Sequence, residues 1–146
     1  MSRGFVKDDD DRPERPLPRP VDVDRPNYVT ARGLKLLEEA LEAARAAGDA
    51  RNVEYYQTRI ETAELVPPPK AGAKKVAFGS TVVLRDGTRQ IRMQIVGEDE
   101  ADPAHGTISW SSPYAQALLE NRVGDRVVVH RPAGDATVVI ESIEPT

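Results

Sequence analysis

Residues able to do acid–base, nucleophilic or metal chemistry are few in this sequence. His105 and His130 are the only histidines, cysteine is absent, and neither histidine stands at a metal-site spacing. Ser111 and Ser112 have no histidine at a recognisable triad position, and Ser112 before Pro113 is typical of a helix cap. Neither Gly79-Ser80 nor Gly134-Asp135 belongs to a complete Walker or dinucleotide-binding pattern. The sequence therefore predicts no catalytic residue, no cofactor site and no enzymatic activity of its own.

Carboxylates form the remaining clusters that could do chemistry. Asp8–Asp11 lies among prolines and arginines, where ordering each residue costs about 1–2 kcal/mol, so we favour a solvated tail over a metal or partner site. Residues 98–102 follow a predicted strand and read Glu-Asp-Glu-Ala-Asp. This run could bind a cation or oppose a basic partner, but we interpret it as a solvated loop. Trp110 fits a core position and an interface position equally well.

Composition narrows the class of partner. The 146 residues include 20 Lys and Arg against 24 Asp and Glu, a net charge of -4, which disfavours gripping nucleic acid by its phosphates. No apolar run is long enough for a signal peptide or a membrane span, so we expect no membrane partner and a cytoplasmic location. Aromatic residues are 5% of the chain, which predicts a compact aliphatic core.

The elements that must position any site divide the chain into four parts. Residues 1–27 are predicted to be a flexible tail rich in acid and proline, and residues 28–66 a helical hairpin. Thr30 is a plausible helix cap, and Gly48-Asp49 is a helix-stop and helix-start pair within a helical stretch from Thr30 to Leu65. The hairpin seams are predicted at Leu34, Leu37, Leu41 and Ala44, and at Val53, Tyr56, Ile60 and Ala63. Outward positions are predicted at Lys35, Glu38, Glu39, Glu42, Arg45, Arg51, Arg59 and Glu61.

Beyond the hairpin, Pro67–Pro69 is expected to end the second helix, and residues 67–75 form a linker. Residues 76–146 alternate like a half-buried antiparallel sheet with one short helix, so the whole chain is α+β. The predicted elements are strands at 81–84, 90–95, 106–110, 126–130 and 137–143, and a helix from Ser112 through Leu119. Asp86-Gly87 predicts a tight hairpin between the first two strands.

Several segments resemble the Gre family of bacterial transcription elongation factors, closest to the GreB-like branch. They occur in the family's order and cover nearly everything from Asn27 to Ile143. The segments are MSRGFVKDDD, NYVTARGLKLLEE, GDARNVEYY, VAFGSTV, IVGEDEAD, GTISWSSPYAQALL and VGDRVVV.

The resemblance implies an antiparallel coiled coil followed by a C-terminal domain similar to the FKBP fold. It also implies that the C-terminal domain docks at the rim of the secondary channel of RNA polymerase and that the coiled coil enters the channel. Acidic residues at its tip would there help to hold a magnesium ion that belongs to the polymerase. Ser112, Pro113 and Tyr114 match the family's Ser-Pro segment, where polymerase contact is expected. Asp49 matches the tip aspartate, although a helix cap explains it equally well.

The sequence departs from the family at the tip. Typical members read like GDLxENAEY, whereas this chain reads GDARNVEYY, without the tip glutamate and one residue shorter. Glu54 matches a different family glutamate, just before Tyr55. Both helical arms look several turns shorter than the family's, so carboxylates at the tip would stop short of the magnesium ion.

Three functions stay open at this point. The first is a monomeric Gre-like factor that binds the polymerase, contacts nucleic acid only indirectly and modulates transcription with weak or no transcript cleavage. The second is a fully active cleavage factor that rescues backtracked polymerase. The third is an FKBP-like peptide-binding module unrelated to transcription.

Overall fold

A computed structural model describes residues 25–144 of the chain. The predictions for the N-terminal tail before Arg25, including the acidic cluster at 8–11, lie outside the described residues. The elements in chain order are β1 (Asn27–Val29), α1 (Ala31–Ala47), α2 (Ala50–Glu61), β2 (Ala63–Leu65), β3 (Thr81–Asp86), β4 (Arg89–Val96), a 3-10 turn (Pro103–His105), β5 (Thr107–Ser109), α3 (Pro113–Leu118), β6 (Arg126–Val129) and β7 (Ala136–Glu144).

The predicted helical hairpin is confirmed. The Thr30 hydroxyl accepts a hydrogen bond from the Gly33 amide at 2.9 Å, which caps α1 at its start. Gly48 ends α1 at a φ of 68°, a left-handed conformation that glycine adopts without strain. Asp49 then caps α2, so the turn takes only two residues. At 1.5 Å per residue the arms are about 26 Å and about 18 Å long.

The second arm ends earlier than the sequence indicates. α2 stops at Glu61, so the prediction of helix through Leu65 is wrong, Ala63 belongs to β2, and Pro67–Pro69 does not end a helix. The cause lies in β1, which pairs in parallel with β2 and places Asn27 opposite Ala63. The Asn27 amide donates to the carbonyl oxygen of Arg59 at 2.8 Å and satisfies the last turn of α2. A local pattern cannot reveal this contact, because its partner is more than thirty residues away.

The C-terminal sheet has the strand order β5-β4-β3-β7-β6. The Asp86-Gly87 hairpin is confirmed, since β3 and β4 pair antiparallel out to Asp86 opposite Arg89. The prediction of a fully antiparallel sheet is wrong at one edge, where β4 and β5 are parallel. Residues 97–106 return the chain to a point beside Gln94, so β5 then runs in the same direction as β4.

The core lies between this sheet and α3 and is aliphatic, as the composition predicts. Its buried members are Val76, Val82, Leu84, Met93, Ile95, Ala115, Leu118, Val127, Val129, Val138 and Ile140.

β1 joins the hairpin to the sheet domain through close backbone and aromatic contacts. The Tyr28 ring packs edge-on against Trp110 with centroids 5.1 Å apart, and against Phe78 at 5.9 Å. Gly97, the first residue after β4, lies so close to β1 that a Cβ atom there would be 2.4 Å from the Tyr28 carbonyl oxygen. Trp110 is therefore partly buried at the junction of the two parts.

The Gly97 contact predicts that Gly97→Ala separates β1 from the sheet domain. We expect a loss of about 2–3 kcal/mol of unfolding free energy, since the collision is with backbone that cannot give way. The fluorescence of Trp110, the only tryptophan, should also shift to the red as Tyr28 leaves it.

Gly87→Ala is the matched control, because φ there is 65° and no atom lies within 4 Å of the added Cβ. It should cost about 1 kcal/mol by backbone strain alone and leave the Trp110 emission unchanged. Equal losses and unchanged emission in both variants would refute a steric role for Gly97.

Candidate functional site

Asp49 occupies the tip of the hairpin and works as a helix cap. Its Oδ1 accepts a hydrogen bond from the Asn52 amide at 3.2 Å, and its Oδ2 accepts from the Asn52 side chain at 2.7 Å. The partial positive charge of the α2 N-terminus favours a carboxylate in this position. Neither the last turn of α1 nor the first turn of α2 carries another acidic residue. The Asp49 carboxylate is thus engaged in holding the turn.

Ser112, Pro113 and Tyr114 begin α3 in the C-terminal domain. The Ser112 hydroxyl accepts from the Ala115 amide at 3.2 Å, and Pro113 takes the first helical position, as the sequence predicts. Ala115 is fully buried and anchors the helix on the core, while Pro113 stays exposed. The structure does not bring these residues together with Asp49, which lies at the far end of α2 from the domain.

Tyr114 is half-buried, and its ring packs against the core cluster. Burial raises the pKa of its phenol above 10.0, and the nearby Asp86 carboxylate adds to that rise. Arg131 and Arg89 oppose the rise in pKa with positive charge. The exposed start of α3 therefore presents a proline and a neutral phenol, with charges of both signs nearby.

The acidic run after β4 forms a buried polar cluster with the hairpin, a pairing that sequence reasoning missed. We call Glu98, Asp99 and Glu100 the acidic clamp, because they hold the base of the hairpin. Arg59 Nε lies 2.6 Å from Asp99 Oδ2, and Arg59 Nη2 lies 3.5 Å from Glu98 Oε1. The Tyr55 hydroxyl also donates to Asp99 Oδ1.

Two predictions are wrong at this cluster. Arg59 was expected to face solvent but is only 5% exposed. The acidic run was expected to be a solvated loop, but the side chains of Glu98, Asp99 and Glu100 are 2–13% exposed, and Asp102, at 53%, is the solvated carboxylate of the run. The basic groups that these carboxylates face, Arg59 and Arg32, belong to the same chain. Tyr55 and Arg59 are one helical turn apart, off the predicted apolar seam, and that spacing is the signal that could have revealed a second buried face.

Glu100 holds the other arm. Its Oε1 accepts from the Thr30 hydroxyl at 2.5 Å, and its Oε2 lies 3.0 Å from Arg32 Nη1. A Cβ on Gly33 would come within 2.7 Å of Glu100 Oε1, so glycine lets this carboxylate reach the start of α1. Negative charge is favoured there by the helix dipole. The clamp thus contacts both arms of the hairpin.

The two histidines each pair with an aspartate that is close in the sequence. His105 Nδ1 lies 2.7 Å from Asp102 and His130 Nδ1 lies 2.9 Å from Asp135, and both imidazoles are exposed turn residues. Within residues 25–144, no three acidic or histidine side chains converge as a metal site would require. No helix in that same part of the chain is long and apolar enough to cross a membrane.

The fold and site define a class of protein: a helical hairpin fixed to a sheet domain by a buried polar cluster. The family model "Transcription elongation factor, GreA/GreB, C-term" matches residues 70–145. The chain is 33% identical over 127 residues to the transcription elongation factor GreA of Sphingopyxis alaskensis, covering 75% of this chain and 80% of that one. This chain belongs to the GreA/GreB family of transcription elongation factors.

Two further comparisons give partial similarities. The chain is 41% identical over 96 residues to the transcription elongation factor GreB of Neisseria meningitidis, covering 64% of this chain and 59% of that one. A GreA/GreB structure from Nitrosomonas europaea is 24% identical, with a TM-score of 0.46 and coverage of 82% of this chain and 99% of that one.

The alignment with GreA also carries gaps. It runs over 127 positions but takes in 75% of this 146-residue chain, which is about 110 residues. About 17 of its positions therefore have no counterpart here.

The clamp predicts that Arg59→Met destabilises the protein strongly. The substitution keeps much of the side-chain bulk but leaves the Asp99 and Glu98 carboxylates buried without their cation, for an expected loss of about 3–5 kcal/mol. Urea unfolding measures the change. Arg45→Met is the control, because the Arg45–Glu42 pair is exposed and should cost no more than about 1 kcal/mol. Similar losses at Arg59 and Arg45 would contradict the clamp.

Tyr114 provides a pH-dependent prediction. Because its folded pKa is raised, the folded state keeps the proton longer than the unfolded state does. Its contribution to stability is fully present below pH 10 and is lost as the pH rises through the folded pKa. Tyrosine ring NMR should show the Tyr114 signal titrating above pH 10, and Arg131→Ala should move that titration higher. A Tyr114 signal that titrates at or below pH 10 would contradict its burial.

Proposed function

We propose that this chain binds RNA polymerase at the rim of its secondary channel through the start of α3, and directs the hairpin into the channel as a monomer. In this proposal it modulates transcription with weak or no stimulation of transcript cleavage. The chain acts as an accessory factor without an active site of its own. The magnesium ion used in cleavage belongs to the polymerase, and nucleic acid is met only within the transcription complex.

Family membership supports RNA polymerase as the partner of this chain. The matched region, residues 70–145, contains the whole sheet domain and the Ser112–Tyr114 segment. Pro113 is exposed at the end of a helix that buried Ala115 and Leu118 fix to the core, so the segment is held rigidly for contact. A rigid apolar residue on a fixed helix start is suited to docking on a protein surface, since little order must be imposed on binding.

The state of the tip carries the proposal of weak cleavage. A carboxylate must come within about 2 Å of a magnesium ion to bind it, or bond through one of its waters. Asp49 is the one acidic residue in the tip turn, and both of its carboxylate oxygens already accept bonds from Asn52. Releasing them would uncap α2, which costs about 1 kcal/mol.

The reach of the arms argues in the same direction. α1 has 17 residues and α2 has 12, and the clamp fixes the base of both at the sheet domain. A rod of this length, docked by the same domain, should end before the catalytic ion.

The alternative is a fully active cleavage factor. The observation that favours it is the 33% identity to a GreA. It would need Asp49 together with a second carboxylate, for which residues 8–11 are the candidate. A peptide-binding module unrelated to transcription is disfavoured, because the sheet domain itself is the part that matches the family.

The test combines core RNA polymerase, a backtracked complex with labelled RNA, and three variants. Asp49→Asn keeps the cap and removes the charge, so it isolates any metal role from the structural one. Pro113→Glu places a charge on Ser112–Tyr114, the proposed docking segment, at a helix position that tolerates acids. Ser142→Glu is the control and adds the same charge to an exposed site on β7.

We expect wild type to bind the polymerase and to leave RNA cleavage near the rate without factor, with no change in Asp49→Asn. Pro113→Glu should weaken binding by about tenfold or more, and Ser142→Glu should not. Prompt cleavage by wild type that Asp49→Asn abolishes would establish the active-factor alternative. Unchanged binding by Pro113→Glu would place the docking surface elsewhere.

A further inference from the structure

Glu98 differs from the rest of the acidic clamp in what its second oxygen does. Its Oε1 lies 3.5 Å from Arg59 Nη2 on the hairpin, while its Oε2 accepts a hydrogen bond from the Ser111 hydroxyl at 2.8 Å. Arg25 Nη2 also lies 3.1 Å from that Oε2. The side chains of Glu98 and Arg59 are 9% and 6% exposed. One buried carboxylate therefore contacts both α2 and the loop that leads into α3.

From Ser111 the contacts continue to the docking segment. The Ser111 amide donates to Ser109 Oγ at 3.1 Å, and the two hydroxyl oxygens are 2.9 Å apart. The Ser112 amide donates to the Ser109 carbonyl at 3.0 Å, and Ser112 then caps α3. Ser109–Ser112 is therefore a closed turn, tied to Glu98 on one side and continuous with Pro113 on the other.

The covalent connection between the two parts is less direct. Residues 66–80 lie outside any helix or strand, and the part of this segment held on the sheet domain includes Lys75, which bridges to Arg122, and Val76, which lies in the core. A hydrogen bond to a buried carboxylate is strong and directional in the low-dielectric interior. The path from Arg59 through Glu98 to Ser111 is short, and both of its steps are polar contacts; Ser112 follows Ser111 directly in the chain.

We propose that Glu98 and Ser111 are positioning residues that fix the direction of the hairpin relative to the Ser112–Tyr114 docking segment. The inference rests on the proposed function for its biological meaning, because it concerns the two surfaces that would meet the polymerase. Contact at the docking segment then sets where the tip points, and by linkage a constrained hairpin improves docking. Neither residue touches the reacting atoms in this arrangement.

The test uses the natural absence of cysteine. Spin labels on Ala46→Cys and Ser142→Cys, both exposed positions, report the distance from hairpin to sheet domain in the free protein. Ser111→Ala removes the hydroxyl and leaves the Arg59–Asp99 pair intact, Ser111→Thr restores a hydroxyl, and Thr137→Val removes an exposed hydroxyl elsewhere. Each change is made in the labelled protein and, separately, in unlabelled protein for polymerase affinity.

We expect Ser111→Ala to broaden the distance distribution about twofold, at temperatures where the protein stays folded, and Ser111→Thr to restore the narrow one. The affinity for core polymerase should fall about 3- to 10-fold in Ser111→Ala, and Thr137→Val should behave as wild type in both measurements. A distribution in Ser111→Ala as narrow as in wild type, at the same distance, would overturn the proposal. So would a failure of Ser111→Thr to restore it.

The two proposals fail separately. If wild type does not bind the polymerase, the proposed function is lost, while the label distances in the free protein still decide whether Ser111 positions the hairpin. If wild type binds but Ser111→Ala keeps both its distance distribution and its affinity, the positioning role is overturned and the docking function stands.

Discussion

Burial of the Arg59 guanidinium between Glu98 and Asp99 is the constraint on which the rest of this structure depends. A cation that is only 5% exposed is tolerated because two carboxylates and the Asn27 amide oxygen, 2.7 Å from its Nη2, surround it. Short helical arms are marginal in water by themselves. The arms here are held because each bonds at its base to a loop of the sheet domain, so the hairpin projects from a fixed support.

The strand β1 completes that support by non-polar means. Tyr28 packs on Trp110 and Phe78, and the Tyr28 carbonyl fills the space that a side chain at position 97 would need. Polar and apolar contacts thus meet at one junction, where the clamp supplies direction and the aromatic rings supply buried area. In the sequence IVGEDEAD, which resembles a Gre segment, the glycine and the first three acidic residues lie in this junction.

Asp49 and the Ser112–Tyr114 segment lie in different parts of the fold and in different local environments. The tip turn is built for compactness, since its one carboxylate is used as a helix cap and its neighbours are small. The start of α3 is built for rigid exposure, since Pro113 stands out from a helix whose inner face is buried. The proposed function draws on this geometry, in which the tip carboxylate serves as a helix cap and Pro113 is held exposed on a fixed helix.

The sequence by itself determined the two-part α+β organisation, the turn at Gly48-Asp49, the Asp86-Gly87 hairpin, the cap at Ser112 and the family. The structural features among these depend on periodicity, glycine conformation and capping, which act over a few residues, whereas the family depends on the resemblance of whole segments. Only the tertiary structure decided the burial and pairing of Arg59 with the acidic run, the early end of α2 and the parallel pairing of β5. Each of these depends on partners distant along the chain, because a charge at a helical position is solvated or buried according to what folds against it.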